Sequence, residues 1–246
     1  PGEESGDSQK TMFTMNWLLP EVTNAEENLS LGILSYALIG TPASPLRKAL
    51  IESGMGDDLT GAGLANYIRE MYFGVGLRGL APENLERTKT LIRDTLTILV
   101  NEDIDHDTVA AAFNTIEFKL REQNTGGYPR GLAYMLSALN FWLYDADPLT
   151  PLQFEEPIAR IRSRWEAGEP IFKDLIRKHF LSNPHMATVI LEPVPGTSRR
   201  EAQEEEDRLR TIDAAMSDDE QRQVVENTRA LQEAQQTPDP PETLAT

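Results

Sequence analysis

Between Thr11 and Leu19 the sequence TMFTMNWLL alternates, with Phe13, Met15 and Trp17 on one side and Thr14 and Asn16 on the other. A period of two over this length predicts a half-buried strand. From about Asn24 to Ile39 the period lengthens, and Leu31, Leu34, Ala37 and Leu38 fall at helical spacing. Ser44-Pro45 reads as an N-cap followed by proline in the first helical position. It opens a shorter helix over LRKALIES that stops at Gly54. From Asn66 to Leu80 alternation returns, with Phe73, Val75 and Leu77 on one face and Gly74 and Gly76 on the other. Glycines confined to one strand face predict close approach by a helix or another backbone.

Beyond Leu80 helical periods dominate. Pro82 opens a helix whose Leu85, Thr88, Ile92, Leu96 and Leu99 form a stripe for burial. After Asp103–Asp107 comes a helix with the stripe Val109, Ala112, Phe113, Ile116 and Leu120, then another from about Arg130 to Tyr144. Thr150-Pro151 reads as the cap of a further helix rich in Arg and Glu, and Pro170 opens one more. A last strand, HMATVILEP, sets Ala187, Val189 and Leu191 against Thr188 and Ile190. Strand, helices, strand, a run of helices, strand: this order predicts an α+β fold, an antiparallel sheet covered on one face by helices. There is no internal repeat of the kind that would indicate a solenoid.

At Pro195 the pattern changes. From Ser198 to Gln236 there is no aromatic residue, Gly or Pro, and Glu, Asp, Arg and Gln dominate. Ser217-Asp-Asp-Glu220 is a capping box that divides this stretch into two helices of roughly 18 residues. Leu209, Ile212, Met216, Val224, Val225 and Leu231 supply only a thin apolar seam. The expectation is a C-terminal antiparallel helical hairpin that leans on another surface, because neither helix buries much alone. Four segments result: a polar, aperiodic lead-in over 1–10, an α+β domain over 11–195, the hairpin over 196–236, and an extended linker tail over 237–246.

Composition narrows the function classes. A chain of 246 residues buries a real core as one domain or two. Its formal charge of −17 argues against nucleic acid, whose phosphates need clustered Lys and Arg, and against docking on anionic membranes. With no cysteine there is no disulfide, thiolate nucleophile or Cys-based zinc site. No apolar run approaches the roughly 18 residues that span a bilayer, and no signal-peptide pattern opens the chain. The chain opens Pro-Gly-Glu-Glu-Ser-Gly, without Met, which reads as a piece of something longer.

The search for chemistry is brief. His106 sits at a helix start between Asp105 and Asp107, as a solvated or capping residue would. His179 and His185 are separated by Pro184, so one helix cannot present both to a metal, and neither HExxH nor HxxEH occurs. There is no G-x-S-x-G elbow. The Ser53–Gly56 and Gly61–Gly63 runs lack phosphate-loop spacing and read as turns. Carboxylate pairs are abundant in so acidic a chain, and their adjacency alone says little about acid–base catalysis.

The densest stretch is FNTIEFKLREQNTGGYPRGL, Phe113 to Leu132. On a helix, Asn114, Glu117 and Arg121 flank the apolar stripe, and Glu117–Arg121 is an i,i+4 ion pair worth about 0.3–0.5 kcal/mol. Phe118 points away from the stripe, toward either a second contact surface or a neighbouring loop.

Four strings carry a resemblance: TPASPLRKALIESGMGDDLTG (41–61), YFGVGLRGL (72–80), NTIEFKLREQNTGGYPRGLAYML (114–136), and Trp142-Leu-Tyr-Asp followed by Asp147-Pro148-Leu149. Over most of residues 12–236 the chain resembles the presequence protease branch of the pitrilysin/insulinase zinc metallopeptidases. That family builds its peptidase from four related α+β domains, two in each half, joined by a helical hairpin and closing around a chamber. Its zinc ligands and general base lie in the first domain's HxxEH motif and a later Glu. Those residues do not occur here, and the match falls on the second, non-catalytic domain and the linking hairpin.

The resemblance therefore implies a chamber-wall domain and hinge, inactive by itself, with zinc belonging to the parent enzyme and no metal or cofactor in this chain. Its implied partners are the other domains of the same peptidase and, in the parent, peptide substrates. The implied setting is the cytoplasm of a bacterium or an organelle matrix. Phe118, Arg121, Tyr128 and Arg130 are the candidates for an interdomain or chamber surface, Tyr128 because the Gly126-Gly127 turn would let it project. Two other readings stay open from the residues: an acidic hairpin module that docks a protein partner, and an enzyme with an unrecognised carboxylate site.

Overall fold

The computed structural model describes residues 11–122, 126–127 and 129–238. These fall into two compact units that divide between Pro193 and Val194. The first unit is built on four strands: β1 (Thr11–Glu21), β2 (Asp58–Ala65), β3 (Glu70–Leu80) and β4 (Met186–Leu191). They pair in the order β2-β3-β1-β4, and every pairing is antiparallel. Among the described residues seven helices accompany them: α1 (Ala25–Ile39), α2 (Pro45–Glu52), α3 (Leu85–Glu102), α4 (His106–Glu122), α5 (Arg130–Trp142), α6 (Glu155–Glu166) and α7 (Ile171–Ile176).

The alternation at Thr11–Leu19 is the pleat of β1. Phe13, Met15, Trp17 and Leu19 are buried on one face, beside Phe73, Val75 and Leu77 of β3. Leu31, Leu34 and Leu38 of α1, Leu46 and Leu50 of α2, and Ile92 and Leu96 of α3 close over them in one continuous core. Fully burying each such side chain contributes about 1.5–3 kcal/mol, so the inner face alone accounts for the strand's position. Among the described residues the outer face has no such cover. Met12 and Leu18 are exposed, and Thr14 and Asn16 are half-buried. An α+β fold with helices on one face of an antiparallel sheet is what the hydrophobic pattern predicts, and it is what forms.

The close approach predicted at the glycines is made by the neighbouring strand. Gly76 stands opposite Thr14, and a Cβ there would collide with the carbonyl oxygen of Phe13. Elsewhere the sequence pattern misleads. Gly61-Ala62-Gly63, read as a turn, lies inside β2, where the pairing with β3 slips between Thr60 and Gly63. Gly61 has φ of 110°, and a Cβ there would lie 2.5 Å from the Gly74 carbonyl. The bulge needs glycine, and glycine erases the alternation by which a strand is recognised. Thr150-Pro151 does not cap α6; it forms a separate 3-10 turn, Thr150–Leu152, and α6 begins only at Glu155. Ser44 occupies the N-cap position of α2, yet its hydroxyl accepts from Thr41 N (3.0 Å) and donates to Tyr36 O (3.3 Å), and it accepts from no N–H of its own helix.

After α7 the chain continues through one wide π-type turn, Arg177–Leu181. Phe180 of this turn packs against Trp17 and Phe73, and its carbonyl accepts the Trp17 indole N–H at 3.0 Å. The turn thus pins α7 to the centre of the sheet. β4 follows as an edge strand: Met186, Thr188 and Ile190 pair with Trp17, Met15 and Phe13.

The second unit holds α8 (Thr197–Ala215) and α9 (Asp218–Gln236). The capping box forms as predicted: Ser217 N donates to Glu220 Oε2 at 2.8 Å, and Glu220 N donates to Ser217 Oγ at 3.4 Å. The apolar seam is not closed, however. Neither helix has a buried residue, and Leu209, Ile212, Val224, Val225 and Leu231 are all exposed. Six apolar residues spread over two charged helices bury too little to zip them together.

Candidate functional site

The candidate surface is built around α4. Asp105 caps this helix, accepting from Thr108 N at 2.9 Å, and the hydrogen bond holds its carboxyl below the usual range. His106, the first helical residue, stacks on Trp165 with ring centroids 4.5 Å apart. Val109, Ala112 and Phe113 then enter the core. On the flank, Glu117 accepts from Arg121 Nη2 at 2.8 Å, as its spacing predicts. A third member has no local signature: Arg162 of α6 donates to the other oxygen of Glu117 at 2.9 Å and to Asn114 Oδ1 at 3.3 Å. The Arg162 guanidinium also lies 4.8 Å from the Phe113 ring centroid. The charged cluster in this stretch is therefore a clamp between α4 and α6.

Phe118 is 63% exposed, on the side away from the stripe. Arg121 is directed to Glu117, and Arg130 is the exposed first residue of α5. Among the described residues no hydrogen bond, ion pair or ring contact joins these three. Tyr128 lies outside the described residues.

Beside α4 the structure holds a concavity that no sequence pattern announced. A groove of about 330 Å³ runs between α1, α4, α5 and the Thr150–Leu152 turn. Its walls include Val22, Leu29, Ile116, Leu120, Phe141 and Phe154. Ile116 and Leu120 are the end of the α4 stripe, which leaves the core and continues into this groove. Its nearby polar groups serve the fold: Asn28 donates to Val22 O (3.2 Å), Asn66 donates to Asn28 Oδ1 (2.9 Å), and Asn140 donates to Asn66 O (3.2 Å).

The buried titratable cluster is elsewhere. His179 Nε2 lies 2.7 Å from Glu27 Oε1, and Lys178 Nζ lies 2.7 Å from the same oxygen. Burial pushes the His179 imidazole down, which the neighbouring carboxylate offsets only in part. Burial pushes the Glu27 carboxyl up, but hydrogen bonds from Lys178 and His179 outweigh it and the net shift is downward. A neutral His179 donating Nε2–H to an ionised Glu27, with Lys178 as the cation, satisfies both shifts. This arrangement does not fit a zinc ion: the ring nitrogen and the carboxylate bind each other, and an ammonium stands beside them. Among the described residues no group of three or more His, Asp or Glu is placed to hold a metal.

These features describe an α+β domain followed by a charged helical pair. The peptidase M16 inactive domain matches residues 3–116, and the segment associated with subfamily C of the M16 peptidases matches residues 191–246. By these two matches residues 3–116 fall in the M16 peptidase inactive domain and residues 191–246 in its associated segment. It is 42% identical over 99% of its length to presequence protease 1, chloroplastic/mitochondrial, of Arabidopsis thaliana, covering 23% of that protein. It is 33% identical over 98% of its length to protein HypA of Clostridium perfringens, covering 25% of it. A mitochondrial presequence protease of Xenopus laevis is 29% identical over 95% of this chain, which covers 23% of that protein. The chain thus spans about a quarter of the length of the curated relatives it matches.

Solved structures share the fold. An inactive peptidase domain from Bordetella parapertussis superposes with a TM-score of 0.60 at 13% identity, covering 78% of this chain and 94% of that one. The M16 inactive domain from Pseudomonas fluorescens gives 0.54 at 17%, covering 77% of this chain and 42% of that one. The two family matches support a non-catalytic peptidase domain rather than an acidic hairpin module that docks a protein partner.

Proposed function

We propose that this chain serves a longer zinc-dependent peptidase as a non-catalytic wall of the chamber, over residues 11–195, and as the hinge that links its halves, over 196–236. The single observation that carries this is the two-part family match, an inactive domain followed by the subfamily C associated segment. The change in composition near Pro195 agrees with it. In this reading zinc and the general base belong to another domain, and peptides are confined by the chamber and not selected by a pocket on this chain. The parent works on peptides in a bacterial cytoplasm or an organelle matrix. Phe118, Arg121, Tyr128 and Arg130 face another domain or the chamber; the exposure of Phe118 on a charged helix is the observation behind that assignment.

The test uses the full-length protein encoded by the surrounding reading frame. It should hydrolyse peptides, lose that activity on chelation, and contain HxxEH upstream of this chain, whereas this chain alone should cleave nothing. Chelator-sensitive hydrolysis by the isolated chain would overturn the reading. Phe118→Ala with Arg130→Ala should lower full-length turnover or interdomain stability; if both stay at wild-type values, the surface assignment is wrong.

A further inference from the structure

Helix α5 is apolar on two opposite faces, and among the described residues only one of them is covered. From Gly131 to Trp142 its sequence, GLAYMLSALNFW, contains no charged residue in a chain whose formal charge is −17. One side carries Ala133 and Phe141, both buried, with Ser137 between them on the wall of the groove. The other carries Leu132, Met135, Leu136, Leu139, Trp142 and Leu143, spaced i, i+3, i+4, i+7, i+10, i+11. That is the seam of a helix that packs against another helix. Leu139 is half-buried, while Leu132, Met135, Leu136, Trp142 and Leu143 are 40–68% exposed. Scattered exposed leucines need no explanation, but a continuous seam of six large apolar side chains marks an interaction surface.

We infer that this seam of α5 docks against an apolar helical face of another domain of the same longer polypeptide. The inference rests on the peptidase-domain reading above and gives it a specific contact. Relatives about four times as long as this chain leave most of their polypeptide outside the matched region. A covalently attached partner sits at roughly millimolar effective concentration, so a seam of this size is enough to hold it. A second copy of this chain is the poorer occupant, because it would bring together two bodies of −17 each with no charge at the seam to compensate.

Hydrogen exchange of the backbone amides of 132–143 tests this, in the chain alone and in the full-length protein. Leu136→Lys with Trp142→Lys is the variant, since both side chains are exposed here and the chain alone should keep its Tm to within about 2 °C. The expected result is at least about tenfold slower exchange in the full-length protein than in the chain alone. The double variant should abolish that difference and lower the Tm of the full-length protein.

Equal exchange in both proteins, or no effect of the double variant on the full-length protein, would overturn the inference. So would protection in the chain alone that rises with concentration alongside a dimeric mass, which would assign the seam to a second copy. Peptide hydrolysis is scored separately. A full-length protein without chelator-sensitive activity would sink the peptidase reading, and the exchange result would still decide the docking seam.

Discussion

At Trp17 one side chain does two things. Its ring fills the core between Phe73 and Phe180, and its indole N–H is donated to the Phe180 carbonyl inside the wide turn. Trp17→Phe keeps an aromatic ring but leaves that carbonyl without its donor and part of the space empty. We expect a loss of about 2–4 kcal/mol, read from the urea midpoint; a loss below about 0.5 kcal/mol would show that the turn does not depend on this bond. The Glu27–Lys178–His179 cluster predicts a direction with pH. His179 has a folded pKa below its ordinary 6.5, so the unfolded chain binds the extra proton first. Its contribution is therefore complete above pH 6.5 and is lost as pH falls toward the folded value. Glu27, lowered from 4.5, adds a second loss at more acidic pH. Melting followed from about pH 7.5 to 5 should show the Tm falling, and His179→Gln should flatten that slope. An equal slope in the variant would place the titration elsewhere.

At the scale of elements, α8 and α9 are helices held by local interactions. A capping box joins Ser217 to Glu220, and ion pairs such as Arg210–Glu206 and Arg208–Glu205 run along the surface. Exposed pairs of this kind contribute little each, and no buried residue reinforces them. In a dilute monomer the amides of 198–236 should exchange far faster than those of β1 and β3, whose hydrogen bonds sit over the core. Uniformly strong protection across 198–236 would contradict this. α4 behaves differently, because its buried stripe and its clamp through Arg162 tie it to α6.

For the whole molecule, the apolar residues that carry stability lie before Pro193, in one continuous cluster from Phe13 to Phe180. A chain ending at Pro195 should therefore keep the same unfolding transition, with Tm within about 2 °C of the longer chain. A drop of about 8 °C or more would mean that the segment after Pro195 contributes to the core unit's stability. Among the described residues no helix is long and apolar enough to cross a membrane.

The sequence by itself determined β1, the inner face of β3, the principal helices, the capping box and the break near Pro195. Each of these is written in local periodicity or in a cap whose partners are three residues apart, so nearby residues are enough to specify it. Its longer strings also carried the family. Tertiary structure decided the rest. β2 hid behind glycines that its bulge requires, and the Thr150-Pro151 turn looked like a helix start. Arg162 joined Glu117 from 45 residues away, and His179 met Glu27 from 152 away, both contacts that no local pattern encodes. The candidate surface divides in the same way. That Phe118 points outward follows from a helical period, but α5's uncovered second apolar face does not. The hydrophobic pattern predicts α5 only as a helix from about Arg130 to Tyr144; that its second apolar face stands exposed among the described residues is seen only in the packed fold.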